Sequence, residues 1–136
     1  MKKLLLFLGF VTAIVGSFWG VRAFNTWQIN ARNAKFNEEI ENLFVALQKY
    51  KEYVGSYPIG SNAEIGKMLL GQNPKNVIIL VGRKNEMSSQ GEFVDPWGTP
   101  LKIYFSNAGV LIRSAGPNRR FDDSSALNGD DVFRSN

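Results

Sequence analysis

Phe36-Asn-Glu-Glu-Ile40-Glu-Asn-Leu43-Phe44-Val-Ala-Leu47-Gln-Lys-Tyr50-Lys-Glu-Tyr-Val54-Gly55 is the stretch that decides the fold. Phe36, Ile40, Leu43, Phe44, Leu47, Tyr50 and Val54 recur at steps of three and four, which places one apolar stripe along a helix. Glu38, Glu39, Glu41, Gln48, Lys49 and Glu52 occupy the other faces. A stripe of this kind has to be covered by a second layer of structure. Gly55 ends the helix and Tyr57-Pro58 turns the chain away from it.

Upstream of the stripe nothing interrupts a helix. Glycine is absent between Gly20 and Gly55, and proline is absent before Pro58; these are the strongest local breakers. Leu4 to Val21 carries no charge. As a helix it would measure about 27 Å, close to a bilayer core of roughly 30 Å. Lys3 and Arg22 flank it and can snorkel to the two interfaces, and Trp19 suits the headgroup region. Lys2 and Lys3 favour a cytoplasmic N-terminus, with the remainder of the chain outside the cytoplasm. A cleaved signal peptide ending near Val21-Arg22-Ala23 is the competing reading, and it exports the same remainder. The expectation is an anchor or signal segment over residues 1–23, one domain over residues 24–136, and a single helix from about Leu4 to Val54.

Downstream the pattern changes. Ala63 to Leu70 reads as a short helix capped by Ser61 or Asn62 and ended by Gly71. Val77 to Val81 is a β-branched run that reads as a buried strand, and Arg83 to Gln90 as a polar loop. In Leu101-Lys-Ile-Tyr-Phe105 the apolar residues alternate, and Val110 to Ser114 returns as a second strand after the Ser106–Gly109 turn. The predicted class is α+β, a long helix packed on an antiparallel sheet of about three strands. So small a sheet needs the helix to cover its apolar face.

Composition removes several functions. The chain has neither cysteine nor histidine. Disulfide frameworks, Ser–His and Cys–His nucleophile systems are therefore excluded, and ordinary zinc sites are disfavoured. The formal charge is +4. Setting aside Lys2, Lys3 and Arg22 leaves 13 basic residues (16 less 3) against 12 acidic ones. No basic stripe remains for nucleic acid.

Two motifs stand out. In Asp95-Pro-Trp-Gly-Thr-Pro100, Asp, Pro and Gly take the favoured first, second and fourth places of a type I turn. The Asp95 side chain can accept backbone N–H groups across that turn, and Trp97 would seat it on the core. The second motif is the tail. All five aspartates lie at or beyond Asp95, and Asp122, Asp123, Asp130 and Asp131 cluster there with Asn118 and Asn128 nearby. The tail lacks apolar periodicity, and clustered carboxylates repel. It is either a solvated acidic loop or a site for a hard cation such as calcium, which takes oxygen ligands. The spacing is not that of an EF-hand.

Three motifs in order resemble the G-type (major) pseudopilins of type II secretion. Tyr50-Lys-Glu-Tyr-Val-Gly-Ser-Tyr57-Pro58 is similar to the end of their spine helix, and Asp95-Pro-Trp-Gly-Thr-Pro100 to their most recognisable turn. Arg113-Ser-Ala-Gly-Pro-Asn118, followed by Asp130-Asp131-Val132, resembles their C-terminal calcium loop. The resemblance covers about residues 36 to 133. It implies a calcium-stabilised, non-enzymatic component of, or accessory to, a pseudopilus or pilus-like machine. The domain would be periplasmic on a single inner-membrane span. The implied partners are other pseudopilins or secretion-machine proteins, the inner membrane, and copies of the same chain in an oligomer or filament. The implied ligands are Asn118, Asp122, Asp123, Asp130 and Asp131, with backbone carbonyls near Ala115 and Ser125. Asn118 stands where the family commonly has aspartate.

The N-terminus departs from the family pattern. Gly9-Phe10 is the only dipeptide like the family's processing site, it lies within the apolar run, and Ile14 stands where a glutamate is expected. A membrane-anchored extracytoplasmic binding module that does not polymerise is the alternative expectation. A hydrolase using Asp122 and Asp131 as paired carboxylates is a third, for which the sequence offers no pocket framework.

Overall fold

The computed structural model describes the backbone of residues 2–80, 87–122 and 129–136, and side chains from residue 20 onward. The class is α+β, with two helices and a three-stranded antiparallel sheet among the described residues. Helix α1 runs Lys2–Val54 without a break, and from Val21 onward it contains neither glycine nor proline, the strongest local breakers. Gly55 ends it with φ +100° and donates its N–H to the Lys51 carbonyl at 2.8 Å. That conformation suits glycine, which has no Cβ to clash.

The chain divides into two units, residues 1–35 and residues 36–136. In the first, the described side chains from Gly20 to Lys35 are exposed apart from the half-buried Gln28. Phe24 and Trp27 stack one turn apart, with ring centroids 6.4 Å from each other. Among the described residues no helix is long and apolar enough to cross a membrane. They therefore lend the transmembrane expectation no support. The run that carries it, Leu4 to Val21, has all its side chains but those of Gly20 and Val21 outside them.

The second unit holds the core. The predicted stripe is buried as predicted: Phe36, Ile40, Leu43, Phe44, Leu47 and Tyr50 join Ile65, Leu69, Phe93, Leu101, Val110 and Ile112 in one cluster. Full burial of each large apolar side chain stabilises by about 1.5–3 kcal/mol. Helix α2, Asn62–Leu69, is capped by Ser61. The Ser61 hydroxyl accepts from the Glu64 N–H while the Glu64 carboxylate accepts from the Ser61 N–H at 2.7 Å, a reciprocal capping box. Gly66 on this helix lies against the Gly91 carbonyl, where a Cβ would sit 2.4 Å away.

Strands β1, Lys102–Ser106, and β2, Gly109–Ser114, form the predicted hairpin. The third strand is not the predicted one. Residues 77–80 are not in the sheet; β3 is Val132–Ser135, which pairs antiparallel with β2. The β-branched run is claimed instead by the end of α2. Ile79 and Leu80 both donate to the Leu69 carbonyl, at 2.9 and 3.0 Å. The buried Asn73 side chain donates to the Met68 and Val77 carbonyls and accepts from the Lys75 and Val77 N–H groups. With its backbone so used, the run has no ladder to offer a sheet. Val81 and the first half of the predicted polar loop, residues 83–86, lie outside the described residues.

Candidate metal centre

The acidic tail meets the body of the domain at the end of β2. Asp95 sets this junction. Its backbone carbonyl accepts from Gly98 N–H at 2.9 Å, closing the predicted turn. Its Oδ1 accepts from Trp97 and Thr99 N–H at 3.0 and 2.8 Å. Its Oδ2 accepts from the Ser114 hydroxyl at 2.8 Å, and Ser114 Oγ in turn accepts from Gly116 N–H at 3.0 Å. Asp95 and Ser114 are both buried, and a buried network in which each member is satisfied is rigid. Both carboxylate oxygens of Asp95 are engaged, which leaves it a structural part in this junction.

Gly116 is where the tail comes closest. Its φ is +66°, and a Cβ built on it would stand 2.2 Å from the Asp130 carbonyl oxygen. Only glycine permits both that conformation and that approach. The chain then turns through Pro117 and Asn118, with Arg119 N–H donating to the Gly116 carbonyl at 3.1 Å.

Around this turn the structure brings together Asp122, Asp130 and Asp131, each half-buried, with one carboxylate oxygen from each within 4.8 Å of the others. Asp122 Oδ2 accepts from Asp130 N–H at 3.1 Å, and Asp131 Oδ1 from Asp122 N–H at 3.3 Å. Asn118 acts as a donor. Its backbone N–H meets Asp130 Oδ2 at 2.9 Å and its Nδ2 meets Asp122 Oδ2 at 3.3 Å. Its one side-chain acceptor, Oδ1, is taken by Arg120 N–H at 2.6 Å. Ala115 is buried beside the turn. Asp123 and Ser125, the remaining candidates, and Asn128 lie outside the described residues.

The donor set fits a hard cation on two counts. Oxygens bound to one calcium at 2.3–2.6 Å lie at most about 5 Å from each other, and this trio falls inside that limit. In addition, Asp130 Oδ1 is a buried atom with no hydrogen-bond partner among the described residues. A buried carboxylate oxygen left without a donor is costly, and a cation would satisfy it. Asp122, Asp130 and Asp131 would hold such an ion. When bound, it would supply positive charge to carboxylates that otherwise repel one another.

Arg113, which had no predicted role, is the fixed positive charge of this site. From β2 it donates to Asp131 Oδ2 and to the Asp122 carbonyl and forms an ion pair with Asp131. Its guanidinium lies 5.3 Å from the Phe121 ring centre and 5.2 Å from that of Phe133. A lone cation among apolar positions in a predicted strand was the available signal.

No family model, curated protein or solved structure matches this chain.

Proposed function

We propose that this chain is a non-enzymatic structural protein of a type II secretion pseudopilus or a pilus-like machine, similar in kind to the G-type pseudopilins. On this proposal a span near Leu4–Val21 anchors it in the inner membrane with a cytoplasmic N-terminus and a periplasmic compact unit. Its work is contact with other pseudopilins, secretion-machine proteins or copies of itself. Calcium held by Asp122, Asp130 and Asp131 stabilises the C-terminal loop.

The observation that carries the proposal is the carboxylate trio with its unpartnered Asp130 Oδ1, packed on the Gly116 turn at the end of β2. Two further features accord with it. A long amphipathic helix covers a small antiparallel sheet, and the Asp95 turn is tied by Ser114 to the acidic loop.

One observation favours a second reading, the anchored binding module that does not polymerise. Ile14 supplies no carboxylate inside the apolar run, and a polar group in lipid is a common means of fixing helix–helix register. Deleting the gene in the native cell separates the two readings. Loss of protein secretion, together with cross-links from the exposed residues of 20–35 to other filament subunits, is expected for the first. Unchanged secretion and a monomer without cross-links would leave the second.

A further inference from the structure

We infer that Arg113 and a divalent cation are alternative counter-charges for the Asp131 carboxylate, so that the arginine keeps the acidic loop assembled without the ion and lowers the affinity with which the ion binds. The inference deepens the calcium reading above and rests on it.

Arg113 is built into the site. Its side chain is 18 % exposed and that of Asp131 is 5 % exposed. An exposed ion pair is worth little, but a shielded one is different: removing one partner strands the other in a poor environment for charge. The guanidinium is also fixed in place. It is flanked by the rings of Phe121 and Phe133, and its fork reaches both the Asp131 carboxylate and the Asp122 carbonyl. Planar Arg suits such a double task better than Lys, which is a flexible point charge.

The consequence for a cation follows from charge. Asp122, Asp130 and Asp131 bring three formal negative charges to one place, and Arg113 already offsets one of them. A divalent ion entering the trio meets a fixed positive charge bonded to one of its own ligands. Repulsion between like charges a few ångström apart lowers its affinity by at least about tenfold. The ion must either share Asp131 through Oδ1, which now accepts from Asp122 N–H at 3.3 Å, or displace the guanidinium. Without the arginine, Asp131 would depend on the ion alone for its counter-charge.

The test compares the full-length chain in mild detergent with Arg113→Gln and Arg113→Lys, each melted with calcium chloride and with chelator and titrated with calcium chloride in a calorimeter. Arg113→Gln is expected to melt several degrees lower in chelator and to regain most of that loss in calcium. Its calcium-induced rise in Tm should be at least twice that of the parent, with calcium bound on the order of tenfold more tightly. Arg113→Lys, which keeps the charge, is expected to show a calcium-induced rise close to the parent's. A loss of equal size in calcium and chelator would overturn the inference, because Arg113 would then serve only the packing of Phe121 and Phe133. A chain unfolded in both conditions overturns it too, since the ion would have failed to replace the guanidinium. Calcium binding by Arg113→Gln but not by the parent would uphold the inference while removing the metal from the natural protein's function. Binding by neither would end both.

Discussion

The stripe side of the domain and its acidic end reach order by opposite means. Where α1 lies on β1 and β2, Phe36, Ile40, Leu47 and Ile112 are almost wholly withdrawn from water, and burial of apolar area supplies the stability. At the acidic end the tail from Asn118 to Asp131 is half-buried or exposed wherever it is described. It is held by hydrogen bonds, one arginine and close backbone approach. The first kind of order needs no counter-charge. The second depends on charge, and so responds to ions.

The contrast can be broken most severely from the core side. Leu47 is fully buried, and Leu47→Ala should cost about 2–5 kcal/mol in urea unfolding. The loss should be the same with calcium and with chelator; a calcium-dependent loss would mean that core and loop are not separate. A smaller effect is expected at the seam between them. Gly116→Ala forces a Cβ toward the Asp130 carbonyl at positive φ, at a cost on the order of 1–3 kcal/mol. Since it pushes the carboxylates apart, its cost should grow in calcium, and the melting difference between the two conditions reads this directly.

Glu64, by contrast, carries a charge that serves local structure only, and a slight effect is expected there. The Ser61 backbone N–H, then the Ser61 hydroxyl, and to a lesser degree the charge of Lys67 hold the Glu64 carboxyl below its ordinary value of 4.5. A depressed carboxyl stabilises the fold above its unfolded value. That contribution fades as the pH falls from about 4.5 through the lowered folded value. Glu64→Gln should therefore melt slightly below the parent at neutral pH and level with it once both are acidified beyond that window. A gap that persists in acid would show that the charge of Glu64 is not what the cap uses.

How much of this was legible in the sequence follows the same divide. The stripe of α1, the Ser61 cap, the Asp95 turn and the β1–β2 hairpin are local patterns, and the chain states them within a few residues. The third strand was not legible. Val132-Phe133 is a weak strand signal, and its partner in β2 is some twenty residues away along the chain. Val77 to Val81 is a strong one, yet Asn73 and the Leu69 carbonyl take its backbone. The gathering of Asp122, Asp130 and Asp131 was foreseen from composition and resemblance. The part of Arg113 was not, because it rests on contacts with Phe121, Asp131 and Phe133 that only the folded sheet creates.

Order at the acidic end through ion-neutralised charge rather than burial is checked by melting the parent and Asp130→Ala with saturating calcium and with chelator. At calcium a hundredfold above its dissociation constant the parent should gain about 2.7 kcal/mol, and Asp130→Ala should lose most of that gain while melting near the parent in chelator. Superimposable parent curves in the two conditions would contradict it.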